Sequence, residues 1–461
     1  MADDSLLDQA LDMRTKLLMQ RPELAKWQAY YDGEQPLSYM QPELLAELEG
    51  RVRQVVINWP QLVVDSLEER LDVEGFRLGD EVDDRIWGWW QANDLDVFSQ
   101  EGHLDALICG RAYIAVGSNE DDPETPLITV ESPEQVWASR DPRTRKVTAA
   151  VKTWRDDDHV DWLTLYRPEL TAHWRLAGGT WESTADVDRH QLGRVPMVPL
   201  VNRSRTLRKQ GRTELAPIVP LSDAACKIAT DMMVSADFHA IPRVVALGLT
   251  EEDFTDRDGK PISKWEKIAG RIWSTQATPG EADIKQLPEA DLRNFHETIN
   301  TLAKVTAALS GLPPQFFGWS DANPASADAI RASESRLVKR AERRQRPFGG
   351  AWEEAMRIGF LITDGALPDG AARLETVWRD PATPTVAQAA DALGKFAAGL
   401  DIPKRALWAR VPNTTASEVR RWEQVADAER AAGAAASAAA FGILGPQPDQ
   451  DVGGGRREGE S

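Results

Sequence analysis

The chain is poor in cysteine and histidine and has no long apolar run. Its two cysteines, Cys109 and Cys226, are too few for a disulfide framework and are expected to be small core residues in a reducing environment. The six histidines lie far apart, with no HExxH pair and no cysteine at ligand spacing, so no metal site is predicted. No segment approaches the roughly 18 apolar residues of a membrane span, and the acidic N-terminal segment does not resemble a signal peptide. No membrane partner is therefore expected.

Sequence motifs for catalysis are also lacking. The glycine pairs at 178–179 and 349–350 are not followed by the GK[ST] of a phosphate-binding loop, and no GxSxG motif occurs. The acid-rich stretches 120–122 and 156–158 fall in predicted turns, which does not favour a two-metal site or a catalytic carboxylate pair. The sequence therefore predicts no cofactor and no enzymatic activity.

The overall charge is acidic. With 73 acidic against 54 basic residues, the net charge is -19. The 42% hydrophobic and 28% charged content is ordinary for a globular protein, and 461 residues suffice for two or three domains. Because a general DNA binder gains affinity by neutralising phosphates, this chain is expected to handle DNA, if it meets it, without binding tightly.

Tryptophan is unusually frequent, with 17 residues in the chain, and ten of them fall in the first 210 positions. Exposed tryptophans can stack on sugars, so a carbohydrate-active enzyme is the rival interpretation. Because the tryptophans show no repeated spacing, packing in cores and subunit interfaces is the simpler interpretation. A pair of carboxylates in one cleft beside aromatic side chains would distinguish the enzyme.

The longest helix that the sequence predicts begins after Asn323, a capping residue, with Pro324 near its first position. No Gly or Pro recurs until Pro347, so residues 324–346 are expected to form one helix roughly 33 Å long. Apolar residues at spacings of seven and four predict a stripe that faces a partner: Ile330, Leu337, Ala341, Phe348 and Trp352.

The other faces of this helix are basic. Against Glu334 and Glu342 it carries seven positive residues: Arg331, Arg336, Lys339, Arg340, Arg343, Arg344 and Arg346. The local net charge of +5 favours an anionic partner. Three possibilities remain open, namely an acidic surface of the same or a neighbouring chain, a nucleic-acid backbone, and plain solvent exposure.

A short aromatic segment precedes this helix and makes the pattern more specific. Pro313 and Pro314 end any helix that arrives from the N-terminal side. Phe316, Phe317 and Trp319 then crowd a loop of about ten residues. The predicted order is helix, aromatic loop, long basic helix.

The remaining segments predict an α+β fold. Helices are expected over 1–57 with a turn at 30–36, from Asn58 onwards, over 95–109 with Gly110 as the stop, and over 213–240 and 292–309. Residues 385–430 are expected to form short helices with breaks at 399–403 and at Pro412. One antiparallel sheet is predicted from the alternating segments 113–116, 127–131, 146–154, 161–166 and 171–175. From about 431 the chain is rich in Ala, then in Gly and Pro, and is expected to be disordered.

The run GLPPQFFG, followed by NPASADAIRASESRLVKRAERRQRPFGGAWEEAMRIG, resembles the central region of portal proteins of tailed bacteriophages, in the branch carried by phages of actinobacteria. Further segments fall in the order of that family: 58–77, 110–117, 193–201 and 211–248. No single piece is a diagnostic motif. The collinear set, which spans about 60–430, carries the resemblance.

The resemblance implies the architecture of a portal subunit. The implied parts are an α+β wing (1–210), a stem helix (211–242), a small α/β clip insertion (243–288), a second stem helix (289–312), a tunnel loop (313–323), a long basic helix that returns to the wing (324–382), a helical crown (383–430) and a disordered tail (431–461).

The resemblance also implies a structural function. The expected assembly is a ring of about twelve copies at one capsid vertex of the virion, assembled in the host cytoplasm, which serves as the DNA channel for packaging and ejection. The implied partners are other copies, double-stranded DNA, the terminase large subunit, a head-tail adaptor, and the major capsid and scaffold proteins. A different head-to-tail connector is the alternative with similar architecture.

Two sets of residues are predicted to carry this function. Because of the loop's position, the residues expected nearest the DNA are Gln315, Phe316, Phe317 and Trp319, with packing of these aromatics on their own helices as the alternative. The seven basic residues of the long helix are expected to contact a neighbouring subunit or the DNA backbone. Arg340→Glu with Arg344→Glu is expected to weaken ring assembly more than it alters monomer folding.

Overall fold

The computed structural model describes residues 2–36, 55–79, 81–184, 187–239, 244–247, 283–286, 292–318, 327–382, 386–408, 410–412, 414 and 416–442. Helices and antiparallel sheets occur together, which confirms the predicted α+β class. Contacts divide the chain into two units, Met1–Ala382 and Thr383–Ser461, and each is described by itself.

The helices, in chain order, are α1 (Ala2–Asp32), α2 (Trp59–Glu68), α3 (Asp84–Ala92), α4 (Leu95–Cys109), α5 (Val219–His239), α6 (Arg293–Ser310), α7 (Ala327–Thr363), α8 (Val386–Gly399), α9 (Lys404–Trp408) and α10 (Ala416–Gly442). Short 3-10 turns occupy Pro314–Phe317 and Ala371–Arg373. No helix within the described ranges is both long enough and apolar enough to span a bilayer.

The strands are β1 (Val73–Leu78), β2 (Glu81–Val82), β3 (Arg111–Gly117), β4 (Leu127–Glu131), β5 (Val136–Arg140), β6 (Val147–Arg155), β7 (Asp161–Tyr166), β8 (Thr171–Ala177), β9 (Thr180–Ser183), β10 (Met197–Val201), β11 (Val244–Leu247), β12 (Asp283–Gln286) and β13 (Glu375–Trp378). Every pairing between them is antiparallel.

The prediction of one sheet between residues 113 and 175 is wrong. Strands β3 and β4 join β10 in a three-stranded sheet, whereas β6, β7 and β8 lie in a five-stranded sheet with order β5-β6-β7-β8-β9. Alternation of apolar residues identifies a strand, but it does not say which edges pair, and the short strands β5, β9 and β10 complete the two sheets.

Helix α1 covers one face of the five-stranded sheet. Leu6, Ala10 and Met13 recur at helical spacing and pack against Val151 and Leu163, which point to the same side of neighbouring strands. The break after Asp32 agrees with the turn predicted at 30–36. An N-terminal helix thus forms a core of its own with the sheet.

The larger core surrounds α7. Trp90, Phe348 and Trp352 are completely or almost completely buried there, and the ring centroids of Trp90 and Trp352 lie 4.9 Å apart. Predicted helix ends nearby are confirmed: the Asn58 side chain accepts a hydrogen bond from the Gln61 backbone N–H, and Gly110 ends α4 in the left-handed conformation.

Helix α7 passes through Pro347, so the prediction that the basic helix ends there is wrong. A proline inside a helix costs about 3 kcal/mol, because it removes one backbone hydrogen bond and crowds the preceding turn. Burial of Phe348, Trp352 and Met356, each 0% exposed, offsets that cost at about 1.5–3 kcal/mol per side chain. The predicted starting residues Asn323 and Pro324 lie outside the described residues.

A small sheet with order β13-β1-β2 connects distant parts of the first unit. Arg77 of β1 pairs in register with Glu375 of β13, and their side chains form a 2.7 Å ion pair. The chain that follows α7 therefore returns to the segment that follows α2.

The helices predicted as stems, α5 and α6, pack against each other. Ala225 and Ala229 on α5 and Ile299 and Ala303 on α6 are buried. Between these helices the structure describes β11 and β12, which form an antiparallel pair. The rest of the predicted clip lies outside the described residues.

The second unit consists of α8, α9 and α10. The ends of α8 at Gly399 and of α9 at Trp408 agree with the predicted breaks near 399–403 and 412. Helix α10 continues to Gly442, so the prediction of disorder is wrong for residues 431–442. Alanine has the highest helix propensity, which explains why this Ala-rich segment is helical.

Candidate functional site

The site begins with a close approach of two glycines. Gly211 has φ of +81°, and a Cβ at this position would lie only 2.0 Å from the Gly110 carbonyl oxygen. A side chain is therefore excluded at Gly211. Backbone hydrogen bonds from Arg212 to Asn202 and from Glu214 to Leu107 hold the segment against β10 and α4. This arrangement places the side chain of Glu214 beneath α7.

The Glu214 carboxylate is fully buried and contacts three arginines. Arg344 donates to Oε1 from Nε and Nη2 at 3.1 and 2.6 Å, and Arg340 donates to Oε2 at 2.8 Å. Arg203 donates to Oε2 at 3.2 Å, and the Asn202 amide donates to Oε1 at 3.1 Å. Charge-assisted bonds of this kind are about twice as strong as neutral ones.

The electrostatics of this cluster follow from burial and charge. Burial by itself would raise the pKa of Glu214, but the positive charges of Arg344, Arg340 and Arg203 outweigh it and lower the pKa to about 2. Burial also lowers the pKa of the Arg340 guanidinium, against the opposing effect of Glu214. At neutral pH one carboxylate therefore faces three cations.

The structure identifies the anionic partner of two predicted basic residues. Arg340 and Arg344 bind Glu214 of the same chain. Replacing both by glutamate would place three carboxylates around one buried position. Because both arginines neutralise a buried carboxylate of their own chain, Arg340→Glu with Arg344→Glu is expected to destabilise the monomer as well as any assembly.

The other basic residues of α7 have different surroundings. Arg336 donates to the Ala308 carbonyl oxygen at 2.6 Å and so satisfies an acceptor at the C-terminal end of α6. Lys339 forms an ion pair with Glu342. Arg343 and Arg346 are exposed and have no hydrogen bond or ion pair with any described residue, while the exposed Arg331 has an interaction of its own.

The predicted aromatic loop is a 3-10 turn over Pro314–Phe317, placed between Gly311 and Gly318, which both have positive φ. Phe317 is 5% exposed and meets the edge of Trp59, with ring centroids 5.8 Å apart. Phe317 thus packs the turn onto the core, as the alternative interpretation expects.

The rest of the loop is less enclosed. Gln315 is partly exposed and donates to the Ser333 hydroxyl at 3.2 Å, and Phe316 is partly buried against the main core. Trp319, the fourth predicted loop residue, lies outside the described residues.

The tryptophans mostly serve packing. Trp59, Trp89, Trp90, Trp174 and Trp352 are buried in the two cores. Half-buried Trp154 and Trp162 stack on each other at 5.9 Å. In the described part of the chain no group of three His, Cys, Asp or Glu side chains is arranged to hold a metal ion.

Sequence reasoning missed Glu214 as the central residue of the site. The signal was weak, because Glu214 is one acidic residue among 73, separated from Arg344 by 130 positions. The glycine at 211 and the excess of arginine on one helix were the indications available.

Comparison with known proteins identifies the family. The chain belongs to the phage portal proteins, because the family model described as phage portal protein, SPP1 Gp6-like, matches residues 13–432. This result confirms the predicted family and the structural function of a tailed-phage portal. The carbohydrate-active alternative is not favoured.

The similar curated proteins come from mycobacteriophages. The portal protein of Mycobacterium phage L5 is 37% identical over 449 residues, which cover 93% of this chain and 88% of the relative. The portal protein of Mycobacterium phage D29 is 37% identical over 439 residues, which cover 92% and 87%.

Solved structures give a weaker likeness. A chain from the neck of a native GTA particle computed with C12 symmetry has a TM-score of 0.43 and 14% identity, and covers 84% of this chain and 93% of its own length. A chain from the neck of an empty GTA particle computed with C6 symmetry has a TM-score of 0.41 and 12% identity, with 79% and 90% covered. Likenesses at this level add nothing to the family assignment.

Proposed function

We propose that copies of this chain close into a ring, with twelve as the expected number, at one vertex of a phage capsid after assembly in the host cytoplasm. The observation that carries this proposal is the match of residues 13–432 to the portal family. A closed ring requires heterologous interfaces, in which two different surfaces of neighbouring copies meet. The basic part of α7, residues 331–346, on an otherwise acidic chain supplies surfaces of opposite sign for such an interface.

The ring would conduct double-stranded DNA during packaging and ejection. A duplex that slides must not be held at any one register, and a chain of net charge -19 limits binding to phosphates. The proposed docking partners are the terminase large subunit and a head-tail adaptor, with the major capsid and scaffold proteins around the ring. The segment 243–288 is proposed for the adaptor because of its resemblance to a portal clip.

The segment 313–323 is proposed as the loop nearest the DNA, with Gln315, Phe316, Phe317 and Trp319 as its contact residues. Phe317 anchors the turn, so Phe316 and Trp319 are the positions to change. Phe316→Ala with Trp319→Ala is expected to impair packaging or genome retention in virions. Unchanged DNA content would contradict this role.

The first experiment is electron microscopy of the purified protein in negative stain, with its mass measured alongside. Twelve copies of 51.1 kDa make a particle of about 600 kDa. Rings with a central hole wide enough for a duplex are the expected result. Compact particles without a channel, or a monomer under every condition including scaffold protein, would overturn the proposal.

A further inference from the structure

A cationic cavity of about 380 Å³ lies beside Glu214. Three described segments form it: α7, the C-terminal end of α6, and the chain before α5. Half-buried Arg340 and buried Arg344 line it, and exposed cations also line it: Arg203, Arg336, Lys339 and Arg343. Leu309, which is 52% exposed, adds an apolar contact.

The charges of this cavity do not balance within the described chain. Six cationic side chains and the single carboxylate of Glu214 line it, which leaves five positive charges in excess. The ion pair between Lys339 and Glu342 reduces the excess to four. Like charges held this close repel one another, and an added anion would relieve the repulsion.

One donor of a residue that lines this cavity lacks an acceptor among the described residues. Nη1 of Arg340 is buried and has no hydrogen-bond partner among the described residues, although Nη2 of the same guanidinium binds Glu214. Buried guanidinium groups normally use their donors, and an orphaned donor carries a desolvation cost. Arg343 adds to the same lining an exposed guanidinium that has no partner in the described part of the chain.

We propose that this cavity is a socket for a carboxylate side chain of a second copy of the chain. Arg340 and Arg343 would bind its oxygens, and Leu309 would contact its neighbouring apolar atoms. This inference rests on the proposed ring, and it identifies one half of the interface and the chemistry that the other half supplies.

Size and charge favour a protein carboxylate over DNA. A cavity of about 380 Å³ accommodates one or two side chains but is too small for a duplex. A second copy carries 73 acidic residues and a net charge of -19, so it offers many carboxylates to a cationic socket. The same net charge repels a DNA backbone from the chain as a whole.

The first test uses Arg343→Glu, because Arg343 is exposed and has no partner among the described residues. Arg346→Glu is the matched control: the same charge change on the same helix, at an exposed residue that does not line the cavity. Sedimentation velocity over a series of NaCl concentrations measures ring assembly. Arg343→Glu is expected to lower the apparent association constant at least about tenfold and clearly more than Arg346→Glu does, while Arg343→Lys stays near the wild type.

The second test detects the carboxylate directly. Glu342→Gln removes the described partner of Lys339, and a carbodiimide then couples the Lys339 amine to any carboxylate within ion-pair distance. Rings made from mixed ¹⁴N and ¹⁵N chains are digested and analysed by mass spectrometry. A Lys339 peptide joined to a peptide of the other isotope is expected, and Lys339→Arg should abolish it.

The outcomes distinguish a failure of the proposed socket from a failure of the proposed ring. If rings form and Arg343→Glu assembles like Arg346→Glu, without isotope-mixed Lys339 peptides, the socket is overturned and the ring stands. If Arg343→Glu assembles normally but loses binding to a DNA duplex, the cavity serves phosphates and the socket is again overturned. If wild-type protein never forms rings, the ring fails and the socket fails with it.

Discussion

At the scale of single residues, Glu214 is a position where one change is expected to be costly. Its buried carboxylate balances Arg344, Arg340 and Arg203, so Glu214→Gln leaves buried arginines without a counter-charge. Removing one partner from a buried ion pair costs about 3–5 kcal/mol. Chemical denaturation of unassembled protein should show a loss of unfolding free energy of this size.

A matched control for that substitution is Glu342→Gln. Glu342 pairs with Lys339 on the exposed face of α7, where ion pairs contribute about 0–1 kcal/mol. A loss from Glu214→Gln no larger than that from Glu342→Gln would show that the buried cluster does not stabilise the fold.

His103 gives the protein a pH dependence. It is fully buried, and its Nε2 accepts a hydrogen bond from the Trp352 indole N–H at 3.0 Å, so the imidazole must be neutral. Burial lowers its pKa to about 3, although the Leu71 backbone opposes the shift. The unfolded chain, with an ordinary pKa near 6.5, therefore takes up a proton first as the pH falls. The contribution of His103 to stability is lost below about pH 6.5, by about 2 kcal/mol between pH 7.5 and pH 5.

The measurement for His103 is the unfolding free energy at both pH values in the wild type and in His103→Gln. Glutamine can still accept from Trp352 but does not titrate, so the variant should lose about 2 kcal/mol less on acidification. Burial and the charges of Asp72, Asp65 and Glu69 raise the pKa of Glu68 to about 7, which gives the opposite pH dependence. This contribution is the same in both proteins and cancels in the comparison. Equal acid losses would contradict the role of His103.

At the scale of elements, two adjacent glycines of α7 should respond oppositely to alanine. A Cβ on Gly349 would lie 3.0 Å from Trp378 Nε1 and 3.4 Å from Thr376 Cβ, whereas one on Gly350 meets nothing within 4 Å. Gly349→Ala is therefore expected to destabilise by about 1–2 kcal/mol through overpacking. Gly350→Ala should stabilise by about 0.5–1 kcal/mol, because alanine is the better helix former.

Thermal unfolding of the two alanine variants, side by side, tests the contact between α7 and β13. If both variants shift the melting temperature in the same direction, α7 does not pack tightly against β13 at Gly349. The comparison is internal, since both substitutions add one methyl group to the same helix.

Several features of single helices could be predicted from the sequence. Local signals were sufficient for the cap at Asn58, the stop at Gly110 and four members of the predicted stripe of α7, because each depends on neighbours within a few residues. Those four are buried: Leu337, Ala341, Phe348 and Trp352. The side chain of Ile330, the fifth, lies outside the described part of the chain. The passage of α7 through Pro347 could not be predicted, since it depends on the burial of Trp352 and Phe348 by distant segments.

Pairing between residues far apart in the sequence explains the contacts that were not predicted. Arg77 pairs with Glu375, and Glu214 binds Arg344, and no local pattern connects either pair. The basic side of the site was visible in the sequence as an excess of arginine, but its acidic partner was not. The positive charge of one helix can be predicted from the sequence, whereas the residue that neutralises this charge depends on the tertiary fold.

At the scale of the whole molecule, the two units differ in the cores they possess. The unit Met1–Ala382 contains both large clusters of buried apolar side chains. In the described part of Thr383–Ser461 the buried apolar residues are Ala389 and Leu407, while several large apolar side chains are exposed, among them Val386, Leu400 and Val425. Isolated helices without a packed face are marginal in water.

The two units should unfold differently as separate fragments. Residues 1–382 should unfold in a cooperative thermal transition, because the buried side chains of each core lose their contacts together. Residues 383–461 should lose helicity gradually, since Ala389 and Leu407 are too few to couple α8, α9 and α10. Circular dichroism at 222 nm on both fragments measures this difference. A sharp transition in residues 383–461 alone would mean that helix propensity and surface pairs such as Arg405 with Asp427 suffice to hold the unit together.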